Sequence, residues 1–326
     1  VDADAGETGA LDGPAYDSSA YDSSVRVVPP ALVERAARLE AGDFTPVRPR
    51  HASTVVLLRD GATGLEVYLL RRHTSMAFAA GMYAFPGGSA DARDADAALG
   101  WAGPAPAEWA ARLGFADEGL ARASVCAAVR ETFEEAGVLL AGPDTGTVVA
   151  DPTGDDWERD RMALLGRVLP FAQLLERRGL VLRSDLLAAW DHWITPRVEE
   201  RRFDTRFFVA ALPAGQQPRD VSGEADRVAW MRPADALASV RRGEMRMLPP
   251  TYLTLASLAD LPDVGAALAA AGGRTIRPVQ PRVRRTPDGA RWVLPWDADW
   301  DADWDADGEG DAASADGPAY DEGELR

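Results

Sequence analysis

The chain of 326 residues contains no lysine, so every one of its basic side chains other than histidine is an arginine. Cationic contacts therefore fall to a planar, permanently charged guanidinium. Cysteine is almost absent too. The single Cys126 excludes an intramolecular disulfide framework and fits a reducing compartment. No apolar run approaches the ~18 residues that would cross a bilayer, and the first residues lack the basic and apolar regions of a signal peptide. The last three residues, Glu324-Leu325-Arg326, are not a peroxisomal Ser-Lys-Leu-type address. A cytoplasmic protein with no membrane attachment is expected.

Positive charge is also outweighed overall, with 35 basic against 52 acidic residues and a net charge of −17. The imbalance is local. Residues 1–24 hold six acids and no base, and residues 297–326 hold twelve acids and one base, Arg326, which leaves 34 acids and 34 arginines between them. That middle part is formally neutral and offers no basic excess for nucleic-acid phosphates, so no nucleic-acid partner is expected. Both ends are repetitive: Ala15-Tyr16-Asp17-Ser18-Ser19 recurs as Ala20-Tyr21-Asp22-Ser23-Ser24, and residues 296–307 repeat Trp-Asp-Ala-Asp. Such sequence buries too little apolar surface to offset its ordering entropy. The division predicted is a disordered acidic tail over 1–24, one folded domain over 25–296 and a second disordered acidic tail over 297–326. Trp296, Trp300 and Trp304 stand at that second boundary, free to pack back onto the domain. Nothing in the sequence signals an oligomeric state.

Within the domain, β-prone runs at 53–59 and 65–72 flank the turn Asp60-Gly61-Ala62-Thr63-Gly64 and predict a hairpin. A helix is predicted over 118–136 with Asp117 as N-cap. Residues 157–190 carry helical spacing, Arg206 to Leu212 and Arg227 to Met231 read as strands, and Pro233 opens another helix. Further helices are expected through 250–271, with a turn at Thr286-Pro287-Asp288-Gly289 between two late strands. This order describes a mixed α/β fold.

The helix over 118–136 holds the chemistry. Glu131, Glu134 and Glu135 fall at i, i+3 and i+4 and project from one face, while Cys126, Val129, Phe133 and Ala136 share the apolar face. Gly137 ends the helix. Three crowded carboxylates repel one another unless a cation sits among them, and hard oxygen donors select Mg²⁺ or Mn²⁺ over Zn²⁺. The acids are expected to point outward. Cys126, on the apolar face, reads as a buried core thiol rather than a nucleophile. His73 and His192 have no partner at metal-ligand spacing and read as polar packing.

Arg130-Glu131-Thr132-Phe133-Glu134-Glu135-Ala136-Gly137-Val138 resembles the second half of the Nudix box, G-x5-E-x7-R-E-U-x-E-E-x-G-U, with U a large aliphatic residue. The glycines of the first half correspond to Phe85-Pro86-Gly87-Gly88. Gly88 stands 42 positions before Arg130 where the pattern has 14, which implies a box split by 28 residues, 89–116. Thr132 takes an aliphatic position, and Ala116 and Arg122 stand where an uninterrupted box has its glycine and lone glutamate. A split box of this kind is similar to the Nudix branch that includes the peroxisomal acyl-CoA diphosphatase of animals. Trp193-Ile194-Thr195-Pro196 and Arg202-Phe203-Asp204-Thr205-Arg206-Phe207-Phe208 add to that likeness.

The resemblance implies a Nudix-type α/β/α sandwich around a mixed sheet, with helical insertions. It implies a diphosphate-cleaving hydrolase whose metal is held by Glu131, Glu134, Glu135 and the Gly88 carbonyl. Arg130 would orient a glutamate. With Arg122 in place of the box glutamate, an acid of the split segment (Asp91, Asp94 or Glu118) or some other partner must brace Arg130. Glu224 is the candidate for a further acid from a loop beyond the box, with Asp226 and Glu200 as alternatives. Gly81, four residues before Phe85, matches part of a coenzyme A signature, whose basic residue is replaced by Ala77. Arg71, Arg72 and Phe85 are the candidate substrate contacts, an arginine holding a 3′-phosphate. The expected partner is a small-molecule diphosphate: coenzyme A or its thioesters, or alternatively a nucleotide sugar or dinucleotide. A ligand sensor on the same fold is the non-catalytic alternative.

Overall fold

The computed structural model of the protein describes residues 26–74, 79–219, 225–287, 289–297 and 300. Helix α1 (Pro30–Glu40) precedes the hairpin of β1 (Arg50–Gly61) and β2 (Gly64–Arg72). Two short strands, β3 (Tyr83–Ala84) and β4 (Gly87–Ser89), flank Phe85-Pro86, and β5 (Trp101–Ala102), α2 (Pro106–Leu113) and the long α3 (Glu118–Ala136) follow. Then come β6 (Ala141–Gly142), α4 (Asp155–Leu165), α5 (Phe171–Arg177) and β7 (Val181–Arg183). They lead into β8 (Ala188–Ile194), β9 (Phe203–Ala211) and β10 (Ala225–Met231). The chain continues through α6 (Pro233–Arg241), α7 (Pro249–Leu258), α8 (Val264–Gly273), β11 (Pro278–Val279), β12 (Arg282–Thr286) and β13 (Gly289–Val293).

The main sheet runs β10-β2-β1-β9-β8-β11, with β3 added on β2 and β4 on β1. It is mixed: β1 pairs parallel with β9 and antiparallel with β2 and β4. Its period-2 geometry sorts side chains to two faces. Val55, Leu57, Phe208 and Ala210 join a core with α2, α3 and α5, whereas Val56, Leu58, Phe207 and Val209 join one with α6, α7 and α8. The result is the expected α/β/α sandwich around a mixed sheet. The predicted helix boundaries at 118 and 136 hold, with the Asp117 carboxylate accepting from Leu120 N at 2.9 Å and Gly137 in the left-handed region at φ +67°.

Two expectations change. Helical spacing over 157–190 describes only α4 and α5; Gly179, at φ +63°, turns the chain, and Val181–Arg183 and Ala188–Ile194 are strands. Strand β8 is sandwiched between β9 and β11 and covered on both faces, so it lacks the alternation that marks a half-buried strand. The domain boundary drawn at 296/297 also shifts. Asp297 is only 8% exposed and forms a two-bond ion pair with Arg26 at 2.7 and 2.9 Å. Trp296 stacks edge-on against Trp193 at 6.4 Å, and the Arg282 guanidinium lies 4.4 Å from the Trp300 ring centroid. The Trp-Asp-Ala-Asp repeat thus begins as part of the folded unit. The predicted tail over 1–24, and the predicted second tail from residue 301 onward, lie outside the described residues.

The Arg26–Asp297 pair leads to a stability prediction. Asp297→Ala leaves Arg26 without this carboxylate, a loss of roughly 1.5–3 kcal/mol for a charge-assisted bond. Calorimetry should register a fall in Tm of several degrees, with Asp297→Glu retaining part of it.

Candidate active site

Strand β4 brings the glycine pair under α3. Gly87 and Gly88 pair with Thr54 and Ser53 of β1, and Ser53 Oγ reaches back to Ser124 O of α3 at 2.7 Å. Both glycines are required by close approach rather than by backbone conformation. A Cβ on Gly87 would lie 2.5 Å from Ser53 O and 2.8 Å from Thr54 Cα; on Gly88 it would lie 2.5 Å from the Glu131 carboxyl carbon. The Gly87 amide donates to Glu135 Oε2 at 2.8 Å. The glycine turn and the carboxylate helix therefore meet despite the 28 extra residues between the halves of the motif.

The acids do not face bulk water as expected. Glu134 and Glu135 are each 5% exposed. They line, with Glu131 and Gly88, a cavity of about 440 Å³ whose walls include Arg72, Arg93, Arg167 and Arg201 and the apolar Leu164, Leu165, Leu169 and Phe171. Arg130 lies among the acids. Its Nη1 donates to Glu131 Oε1 at 2.8 Å and Glu134 Oε1 at 3.2 Å, and its Nη2 to Ser89 O at 2.9 Å. Its paired contact is with Asp94 instead of a glutamate of the helix: Nε to Oδ1 at 3.1 Å and Nη2 to Oδ2 at 2.9 Å. Of the acids weighed from sequence, Asp94 is the one found against Arg130. Arg122 instead lies over the Trp101 ring at 5.3 Å.

Burial raises the Glu134 pKa to about 7, the neighbouring charge of Glu131 adds to the rise, and Arg130 opposes it. Arg161 of α4, itself 1% exposed, donates from Nη1 to the Glu134 carbonyl at 2.7 Å and so satisfies a carbonyl in the last turn of α3. Nothing in the box pattern pointed to Arg161; it stands 27 positions beyond Glu134. Burial also raises the Cys126 thiol pKa, as its place in the core demands.

As the side chains stand, no three His, Cys, Asp or Glu residues among the described ones converge where an ion would sit. Arg130 Nη1 holds Glu131 and Glu134 together. The donor chemistry nevertheless fits a hard divalent cation: three carboxylates open on one cavity, with a cradle beside Glu131 that a Gly88 side chain would fill. Of the substrate candidates, Arg72 lines the cavity. Arg71 pairs with Asp226 at 2.5 Å, which engages that alternative acid, and does not line it. Phe85 is corrected: it is buried in the core beneath α6 to α8, so its ring supports the turn from below. Glu200 pairs with Arg35 at 2.9 Å, and Glu224 lies outside the described residues. His192 packs against Asp204 at 2.5 Å, the polar packing expected of it. No helix among the described residues is long and apolar enough to cross a membrane.

An α/β/α sandwich with this carboxylate helix against a glycine turn defines a Nudix hydrolase. A solved NUDIX hydrolase from Alicyclobacillus acidocaldarius is 31% identical, with 71% of this chain and 98% of that one covered at a TM-score of 0.60, and the chain belongs to this family of enzymes. Residues 117–258 match the family model described as the NUDT19 Nudix domain. Among curated relatives, the acyl-coenzyme A diphosphatase NUDT19 of Xenopus laevis is 24% identical over 80% of this chain and 78% of its own length. The protein of the same description from Homo sapiens is 29% identical over 72% of each. Nudix hydrolases generally use divalent metals.

Two outcomes follow from this geometry. Gly88→Ala should fold normally and lose turnover, because the Glu131 carboxylate swings aside, whereas Gly87→Ala presses on backbone and should lower Tm as well; melting curves beside activity assays separate them. For Glu134, a pKa raised from 4.5 to about 7 means that its favourable protonation is fully present below the unfolded value and is lost as pH rises through about 7. In chelator, Glu134→Gln should therefore be more stable than the parent above pH ~7 and lose that advantage toward pH ~4.5, as denaturant titrations across this range would record.

Proposed function

We propose that the chain hydrolyses the diphosphate of coenzyme A or of its acyl thioesters, releasing 3′,5′-adenosine bisphosphate and a phosphopantetheine product. The observation that carries this reading is the composition of the cavity. Carboxylates share its lining with Arg72, Arg93, Arg167 and Arg201 and with the apolar Leu164, Leu165, Leu169 and Phe171. A substrate with several phosphates and a long, weakly polar arm matches all three surfaces. The names borne by the relatives from Xenopus laevis and Homo sapiens support the same substrate class.

In this proposal Glu131, Glu134, Glu135 and the Gly88 carbonyl hold Mg²⁺ or Mn²⁺, which would neutralise phosphate charge and acidify a water when bound. The chain's own part is positioning. The Gly87 amide fixes Glu135, Arg130 restrains Glu131 and Glu134, and Arg161 holds the last turn of α3 in register. The rim arginines would orient the phosphates, and the buried walls would exclude bulk water from the reacting bond. The proposed setting is the cytoplasm, in keeping with one buried, unpaired cysteine.

The test is product analysis on a panel of coenzyme A, acyl-coenzyme A, a nucleotide sugar and a dinucleotide. Release of 3′,5′-adenosine bisphosphate, at a rate above that for the other two classes, is expected; faster cleavage of the sugar or dinucleotide would overturn the substrate assignment. Glu135→Gln should lower turnover by about 10²-fold or more, the scale on which loss of transition-state charge stabilisation acts, while circular dichroism remains that of the parent.

A further inference from the structure

The segment that splits the motif begins with a single 3₁₀ turn, Ala92–Ala95, capped in both directions: the Asp91 carboxylate accepts from Arg93 N, and Asp94 Oδ2 accepts from Asp91 N at 2.9 Å. This capping fixes Asp94, which is 2% exposed, against α3. There its carboxylate takes Arg130 Nε and Nη2 and also meets Cys126 Sγ at 3.5 Å. Ser89 O accepts a second bond from Nη2. Only Nη1 of the guanidinium is turned to Glu131 and Glu134.

We infer that Asp94 is a positioning residue for the reaction: it anchors Arg130 so that Glu131 and Glu134 remain available to a divalent cation. The argument is one of competition. A buried guanidinium without its own counter-charge would draw both glutamates to itself, because an unpaired charge away from water is strongly disfavoured. A bidentate carboxylate satisfies two of its edges in a fixed geometry. When the glutamates turn to a cation, Arg130 then stays neutralised in place. Thus the inserted residues supply a working part of the site, and Arg122, on the Trp101 ring, is not called on.

This inference rests on the reaction proposed above, so its test reads metal affinity as well as turnover. The experiment is a double-mutant cycle of Asp94→Asn with Arg130→Gln on the full chain, using Mn²⁺ calorimetry and hydrolysis of coenzyme A. Asp94→Asn should weaken Mn²⁺ binding and turnover about tenfold in the parent, and less than about twofold once Arg130 is gone. Equal losses in both backgrounds would overturn the inference. Asp94→Glu keeps the charge and displaces it by one methylene; it should stay within about threefold of the parent, and a loss as large as that of Asn would also overturn it. If the parent cleaves no diphosphate, the proposed function falls, and the Mn²⁺ arm still decides the role of Asp94.

Discussion

Buried carboxylates crowded around one guanidinium govern this site. Arg130 meets Asp94, Glu131 and Glu134, and Glu135 leans on the Gly87 amide. Removing such groups from water is expensive unless each is matched. The mismatch appears at Glu134, whose proton affinity is raised by burial and by Glu131. The last turn of α3 adds to it, since a helix C-terminus carries partial negative charge. Arg161, bound to the Glu134 carbonyl, offsets some of that field from outside the motif. A fold that keeps such crowded carboxylates together must be rigid around them.

That rigidity comes from how the sandwich is closed. The β1–β4 ladder holds the glycine pair, Ser53 ties β1 to α3, and the apolar face of α3 is fully buried against Val55, Leu57 and Phe208. The helix can neither rotate nor slide without exposing Cys126, Val129 and Phe133, which are 0% exposed. At ~25 cal/mol per Å² of apolar surface, exposing all three side chains together would cost several kcal/mol and so opposes any movement that would separate the acids. Core packing is thus a force that keeps like charges together on the lining of the cavity.

How much of this was legible in the sequence depended on whether the signal was local. The 3.6-residue period of α3, its Asp117 cap and its Gly137 stop are local, and all appeared where the sequence put them. The hairpin of β1 and β2 was local too. Strand β8 was hidden because burial on both faces erases alternation, so the helical spacing read from 157 ran on into its first residues, up to Trp190. Asp297 seemed one more acid of a repeat, and only the fold reveals Arg26 opposite it, 271 positions away. The substrate candidates divided for a similar reason. Neighbouring strand residues face opposite ways, so Arg72 reaches the cavity while Arg71 turns to Asp226 on the edge strand. Phe85 carried a motif position whose purpose is packing.

The split motif shows why linear spacing is a weak constraint and contact a strong one. Closing a longer loop adds only a logarithmic entropy cost, about 0.6 kcal/mol per doubling of length, so 28 extra residues are tolerable if they find something to bury. They do: Leu99, Trp109 and Leu113 pack into the core shared with α3, and Ala90 and Ala95 lie against Ala123 and Ala127. Once seated there, the segment starts within reach of Arg130, and a carboxylate at that start can replace one displaced from the helix. Two parts of the inserted stretch are therefore constrained by contact: the apolar residues that seat it in the core and the turn that touches the charged cluster. On this view Asp94 and its cap Asp91 are the part of the insertion that meets the charged cluster, and its apolar residues hold them there beside the glycine pair.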